Sequence, residues 1–424
     1  LEHLRSIFGI SFLLGLAWLL SNNRKKISLR VVIWGLCLQF TFALIILKTA
    51  PGEAVFYFLE KIFLQLLSFS NEGARFIFGD LLLGITADGG ASYRVIDAGT
   101  GELTELTEVM SNLGPKFAFK ILPSIIFFAS LMGVLYHLGV MQKVVQGAAW
   151  VMARTMGTSG SESLSAACNI FVGQSEAPLL IKPYVSKMTQ SELMAVMTGG
   201  FATIAGAVMA AFVSFGVDAG HLMSATVMSA PAALVMAKII FPETEKPLTS
   251  GTMRFKTEKD TVNVVDAAAK GATTGLKLAA NVAAMLIAFI ALIALINYSL
   301  GFIGTSLKEV LGWLFSPIAF FMGVPMGDIF EVGQLLGTKV SINEFVAYLD
   351  LTALKGELSP RAFTISTYAL CGFANFSSIA IQIGGIGAIA PDRKTDLAKL
   401  GLKAMIGGAL ASWMTATIAG ILIG

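Results

Sequence analysis

The chain has 424 residues, 55% of them hydrophobic and only 13% charged, where soluble domains carry about 25% charged residues. With a mean hydropathy of +0.76, this excludes a string of soluble domains and points to one polytopic membrane unit. A net charge of +3 without a dense basic run excludes a nucleic-acid partner.

A membrane span needs about 20 apolar residues. Leu4–Leu20 reads as a span, not a signal peptide, because a basic cluster follows it and no small-residue cleavage site is evident. Val31–Leu47 and Ile121–Gln142 follow, then Leu193–Val217 and Ala219–Ala237. Leu278–Leu307 and Ala362–Pro391 are uncharged throughout, and Ala404–Gly424 closes the chain. The fold class is therefore an all-α polytopic membrane protein of eight transmembrane helices. Two stretches do not fit as spans. Ser163–Ile181 holds Gln174, Glu176 and Pro178, and Val310–Val346 is interrupted by Pro317, Pro325, Asp328, Glu331, Lys339 and Glu344. Breaks and carboxylates at membrane depth predict two re-entrant hairpins, since irregular backbone is tolerated there only when it lines a cavity or packs in protein.

Loop charge sets the orientation. Ser21–Arg30, Phe241–Lys277 and Asp392–Lys403 carry the Lys and Arg residues. Placing them inside puts both termini outside, together with the acidic segment Pro51–Lys116.

The two odd stretches resemble each other. Val172-Gly173 reaches Tyr184 after eleven residues, and Leu336-Gly337 reaches Tyr348 after eleven. Downstream, Gly200-Phe201-Ala202-Thr203 matches Gly372-Phe373-Ala374-Asn375. Upstream, Met156-Gly157 and Met322-Gly323 each end an amphipathic stretch that reads as an interfacial helix. Residues 118–241 and 278–424 are thus two copies of one unit, each with three spans, so the second runs inverted. Inverted repeats with interrupted helices are a transporter pattern. Ser341-Ile342-Asn343-Glu344 reads as a capping box. Pro178 falls in a first helical turn. Both hairpin tips would then aim helix N-termini at the protein centre.

A carboxylate at the bilayer centre costs on the order of 3 kcal/mol on insertion scales, so Gln174 and Glu176 beside a backbone break suggest a solute site. The alternative is that Glu176 caps its own helix or pairs with Lys182. Asn375 and Ser378, three apart, share a helix face suited to a diol or sugar, or else bond between helices. Glu344 either accepts from sugar hydroxyls or serves its capping box. Asn169 and Thr203, with carbonyls at Val172 and Ile204, offer hard oxygens for sodium, or are ordinary polar packing. Phe373 offers a ring for stacking, or is core. The cysteines, Cys37, Cys168 and Cys371, lie in apolar runs, and His3, His137 and His221 are scattered. A disulfide framework, a metalloenzyme and a Ser–His hydrolase therefore find no support.

Gly173-Gln174-Ser175-Glu176-Ala177-Pro178, Asn343-Glu344-Phe345-Val346-Ala347 and Gly372-Phe373-Ala374-Asn375-Phe376-Ser377-Ser378 resemble the signatures of the concentrative nucleoside transporters. The resemblance runs from Gly114 to Gly424. It implies a homotrimer in the bacterial inner membrane, surrounded by lipid, and a sodium-coupled nucleoside symporter working as an elevator. Proton coupling is the alternative, and a solute channel a further one. Residues 1–139 and the central span 278–307 would be scaffold. Residues 140–241 and 308–424 would form the transport domain. By the motifs, Gly173, Gln174, Ser175, Glu176 and Val208 would hold the base, and Glu344, Asn375 and Ser378 the ribose, with Phe373 beside them. Sodium would sit among Asn169, Val172, Thr203 and Ile204. Position 175 is Ser where relatives often have Thr, and 203 is Thr where a relative has Ser; both keep a hydroxyl.

Overall fold

A computed structural model describes residues 2–79, 94–96, 103–105, 117–174, 176–250 and 261–423. Nearly all of them are helical; one antiparallel ribbon pairs Arg94–Ile96 with Leu103–Glu105. Helices α1 (Glu2–Leu19) and α2 (Leu29–Lys48) are the first two spans. The next helix, α3 (Ala50–Phe78), occupies the first part of the acidic segment, where the sequence suggested no helix. Its N-terminus is fixed by Thr49, whose side chain accepts from Gly52 N, and by Pro51 in the first turn. It is amphipathic, so Glu53, Glu60, Lys61, Glu72 and Arg75 interrupt every apolar run while the other face packs on α2 and on α4 and α11 described below.

The two repeats correspond element by element. The first contains α4 (Phe117–His137), α5 (Val140–Met156), α6 (Gly160–Cys168), the short turns α7 (Ala177–Leu180) and α8 (Lys182–Val185), α9 (Gln190–Ala202), α10 (Gly206–Ser214) and α11 (Ala219–Ile240). The second contains α12 (Val264–Gly301), α13 (Leu307–Phe321), α14 (Ile329–Ser341), α15 (Glu344–Ala353), α16 (Pro360–Leu370), α17 (Phe376–Ile389) and α18 (Lys394–Leu422). Hairpin 1 is α6 with α7–α8, and hairpin 2 is α14 with α15. The expected interfacial helices are α5 and α13, each followed by a glycine at positive φ, Gly157 and Gly323. Helix α4 bends by 79° into α5.

Five spans are long and apolar enough on their own: α2, α9–α10, α11, α12 and α18. Helix α1 carries Glu2 and Arg5, α4 ends in its bend, and α16–α17 is a broken pair. The central span differs in its bounds from the expected 278–307. Helix α12 starts at Val264 and stops at Gly301. At 1.5 Å per residue it is about 57 Å long, more than a bilayer core, so its first turns carry Lys270 and Lys277 beyond the uncharged run.

Helices α4 and α12 cross through small residues. A Cβ on Gly271 would stand 2.6 Å from Ala129 O, one on Gly275 2.7 Å from Ile126 Cα, and one on Gly133 2.7 Å from Ala267 O. Close backbone approach is how helices associate where lipid removes the hydrophobic drive.

The core proper lies among α6, α9, α11, α16 and α18. Helices α6 and α9 each start with a capping box, Ser159 with Glu162 and Thr189 with Glu192, and Ser161 Oγ ties the two by donating to Glu192 at 2.9 Å. Ser159 Oγ also donates to Glu192 at 2.6 Å, and buried Lys238 of α11 lies 2.7 Å from Glu162. These carboxylates are paired and hydrogen-bonded, as buried charges must be.

The breaks in α9–α10 and α16–α17 meet at the centre. Gly372 has φ +132°, and a Cβ there would stand 2.7 Å from Phe201 O. Unwinding frees carbonyls that need donors. Lys339 Nζ donates to Ala369 O at 2.8 Å, Tyr348 Oη to Thr367 O at 2.8 Å and Ser412 Oγ to Cys371 O at 2.8 Å. Both Lys339 and Tyr348 are fully buried.

Candidate solute-binding site between the hairpin tips

Hairpin 1 turns over at 169–176. Glu176 stands at the N-cap of α7, and Pro178 fits the first turn as expected. The Glu176 carboxylate makes no capping bond to that helix. It forms no ion pair with Lys182 among the described residues, and Lys182 is exposed. A Cβ on Gly173 would lie 2.7 Å from Glu176 Oε2 and 3.2 Å from the Ala205 Cβ. The tip is therefore pressed onto the first helix break, and its carboxylate folds back over Gly173.

Hairpin 2 turns at 342–343. The cap of α15 is Asn343, whose side chain accepts from Val346 N at 2.9 Å. The expected Ser341–Glu344 capping box is not the observed cap, because α14 continues through Ser341. Glu344 is thereby free of capping, and its Oε2 accepts from Asn375 Nδ2 at 2.8 Å.

Asn375 begins α17. Its Oδ1 accepts from Ser378 N at 2.9 Å and from Ser377 Oγ at 2.7 Å. Gln174 Nε2 reaches Ser378 Oγ at 3.2 Å, which joins hairpin 1 to the broken helix of the other repeat. Asn375, Ser378, Glu344 and Gln174 are all buried.

These side chains border one cavity of about 150 Å³, roughly ten times what a single water needs. Gly173, Gln174, Glu176, Val208, Glu344, Phe373, Asn375 and Ser378 all line it. Of the expected binding residues, Ser175 alone lies outside the described residues. The polar groups come from the hairpins and the breaks. The opposite wall is α12, which contributes Leu278, Val282, Met285 and Leu286 with one polar side chain, Asn281.

Three polar lining residues had no binding role assigned from the sequence: Asn281, Asn343 and Ser377. Gln382, seven residues after Asn375 and buried behind Gln174, had none either. Positions 375, 378 and 382 fall on one face of a helix, so their polar repeat in an uncharged run is the signal that would have found it.

The four expected sodium ligands flank the first break. Gly206 N donates to Phe171 O at 3.1 Å, which holds the hairpin strand against 203–206. A Cβ on Gly199 would lie 3.1 Å from Asn169 Nδ2, so Asn169 packs on α9. Asn169 Oδ1 is buried without a partner. Thr203 Oγ1 gives its proton to Gly199 O at 2.9 Å and keeps its lone pairs. The Val172 and Ile204 carbonyls accept no backbone bond among the described residues. Neutral oxygens of this kind suit a hard monovalent cation. No His, Cys, Asp or Glu cluster for a transition metal occurs among the described residues.

Inverted halves that bring two hairpin tips and two helix breaks to one central polar cavity define a multi-pass secondary transporter. Residues 8–81 and 221–420 match the families described as Na+ dependent nucleoside transporter N-terminus and C-terminus, and residues 118–219 the one described as Nucleoside recognition. Similar proteins include the transporter YutK of Bacillus subtilis, 43% identical over 98% of both chains. Solute carrier family 28 member 3 of Mus musculus is 42% identical over 99% of this chain, which spans 59% of that protein. The structure of CNTnw in an inward-facing substrate-bound state has a TM-score of 0.89 at 40% identity, covering 100% of this chain and 98% of that one. A double variant of CNTnw in an outward-facing state gives 0.90 at 40% identity, covering 99% and 98%. The chain belongs to the concentrative nucleoside transporter family, a family of sodium-dependent membrane transporters and not of enzymes.

Proposed function

We propose that this chain is a sodium-coupled nucleoside symporter in which the hairpins and broken helices move as one body past α4 and α12. The observation that carries the reading is the cavity itself, where eight of the nine expected binding residues, drawn from both repeats, meet. Gln174 and Glu176 would face the base, with Val208 and Phe373 as apolar walls and Ser175 completing the tip. Glu344, Asn375 and Ser378 would bond the ribose hydroxyls. Asn169 and Thr203 side chains and the Val172 and Ile204 carbonyls would hold sodium, which supplies positive charge that ties the hairpin tip to the break. Family membership favours sodium over the proton alternative.

The elevator reading is supported by the polarity of the two walls. A body sliding along Leu278, Val282, Met285 and Leu286 breaks almost no hydrogen bonds, while its own polar groups travel with the solute. CNTnw, 40% identical, has been solved outward-facing, inward-facing and in intermediate states. The homotrimer is supported by the outer face of α12, where Ile287, Ile290, Leu295 and Tyr298 are exposed and require lipid or a second copy. The basic loops favour an inner membrane with both termini outside.

The energetics close. A tenfold sodium gradient gives about 1.4 kcal/mol and 100 mV about 2.3 kcal/mol per charge, enough for roughly 500-fold accumulation at one ion per solute. The test is uptake of labelled uridine into proteoliposomes with an imposed sodium gradient. We expect accumulation that saturates and collapses when sodium is equal on both sides. Flux that does not saturate and ignores the gradient indicates a channel. Dependence on pH instead of sodium indicates the proton.

A further inference from the structure

We propose that Gln382 is a positioning residue that fixes which way the Gln174 amide faces, and so sets which edge of a base the site accepts. This rests on the reading of the cavity as a nucleoside site.

Three hydrogen bonds carry the argument. Gln382 Nε2 donates to Gln174 Oε1 at 3.0 Å and to Met197 O at 3.1 Å. Gln174 Nε2 in turn donates to Ser378 Oγ at 3.2 Å. An amide nitrogen has two protons and no acceptor capacity, and an amide oxygen the reverse. Gln382 faces two oxygens at once, one of them a main-chain carbonyl that cannot invert. Its nitrogen must therefore point there, and its own Oε1 is left buried without a partner. The Met197 carbonyl thus sets Gln382, and Gln382 sets Gln174 with its oxygen turned away from the cavity. The Gln174 nitrogen spends one proton on Ser378 and keeps the other for the cavity, which both residues line.

The space for this relay is built into α9. A Cβ on Gly200 would lie 2.8 Å from Gln382 Nε2 and 2.9 Å from the Gln174 Cβ. Any larger residue would displace the relay. Gln382 itself is 1% exposed and absent from the cavity wall. It acts through Gln174 and not on the solute.

A fixed N–H donor matches a carbonyl on the base edge and opposes an amino group. Uracil presents an O4 acceptor where cytosine presents an N4 amino donor, as thymine and cytosine do in a duplex. Gln382→Met keeps the volume and removes the donor, freeing Gln174 to turn its oxygen to the cavity. We expect uridine to lose affinity and cytidine to lose less or gain, so that the ratio of their affinities falls at least threefold, on the order of one neutral hydrogen bond.

The experiment measures Kd for uridine and for cytidine by calorimetry on the whole purified transporter at saturating sodium, for wild type and Gln382→Met. A melting temperature and a sodium midpoint near wild type establish that the variant is folded. Loss of both affinities by one common factor overturns the proposal, because a residue that only packs would weaken both alike. If the methionine variant does not fold, Gln382→Leu serves, since it too removes the donor that faces Gln174 Oε1. The same shift toward cytidine is expected, and an unchanged ratio again overturns the proposal. Wild type that binds neither nucleoside sinks the reading of the cavity, while wild type that binds them with a ratio insensitive to position 382 sinks only the relay.

Discussion

Asn375 Nδ2 lies 2.8 Å from Glu344 Oε2, while the other end of the same amide caps α17 through Ser378 N at 2.9 Å. One side chain therefore orients the carboxylate of hairpin 2 and starts the second half of a broken helix. Sequence spacing placed Asn375 and Ser378 on a shared face; the cap explains why they share it.

This pairing defines how ribose recognition is tested. A site built to bond a hydroxyl rejects analogues that lack it, since its own polar groups are left unpaired. We expect free uracil to bind far more weakly than uridine. In Asn375→Ser, which retains a capping oxygen and loses the Glu344 contact, the uridine preference should shrink by about tenfold or more. Competition binding against labelled uridine measures both, and equal competition by uracil in wild type ends the sugar assignment.

Glu176 makes no capping bond to α7 and no described ion pair; its carboxylate folds back onto the Gly173 backbone at the edge of the cavity. Truncating one partner of a desolvated charged hydrogen bond costs about 2–5 kcal/mol. Glu176→Gln should therefore fold, run as the wild-type oligomer on gel filtration, and bind uridine at least about thirtyfold more weakly. A folded variant with wild-type affinity refutes the role.

Gly372 is where the two helix breaks touch. Its φ of +132° is unfavourable for any residue with a Cβ, and a Cβ would press on the Phe201 and Ala202 main chain. Such strain alone costs about 1–3 kcal/mol, before the overlap is counted. Gly372→Ala should lower the melting temperature in detergent more than Gly384→Ala on the same broken helix, where nothing stands within 4 Å of the added Cβ. Equal melting temperatures would mean the breaks do not pack as described.

The readable parts of this site were polar residues in long uncharged runs, because nothing but a partner offsets their cost there. Gln174, Glu176, Asn375 and Ser378 stood out for that reason. Asn169 and Thr203 offered hard oxygens but stood out less, since Asn and Thr are common between packed helices; the family resemblance is what favoured a sodium site over polar packing. Helix α3 was hidden because its charges recur along one face and break every run. The cap of α15 was misplaced by two residues, since Ser341 and Asn343 are both good caps and the choice depends on where α14 ends. Within Ala362–Pro391 only Gly372 and the Asn375 cap mark the break locally, and neither alone distinguishes a broken span from a continuous one. The second break persists because Lys339, Tyr348 and Ser412 satisfy its freed carbonyls at Ala369, Thr367 and Cys371. Those donors lie 19 to 41 positions away, a distance no local pattern reports.

Asn169 Oδ1 is a buried acceptor with no partner, and Thr203 Oγ1 has already given its proton to Gly199 O. Both therefore present oxygen lone pairs, one on the hairpin strand and one on the break. An ion held between them would link Gln174–Glu176 to the segment carrying Val208. By linkage, sodium then raises solute affinity and solute raises sodium affinity by the same factor. Asn169→Ala or Thr203→Ala each removes one oxygen, and neither residue lines the solute cavity. Each variant should need several-fold more sodium for half-maximal uridine binding, with the order of preference among nucleosides unchanged. Thr203→Ser keeps the hydroxyl and should behave as wild type. The measurement is uridine binding titrated over sodium, with choline holding ionic strength constant. A common loss in all three variants would mean that packing, not the oxygen, is what matters at 203. Wild-type binding that ignores sodium and follows pH would make these oxygens ordinary packing and the coupling ion a proton.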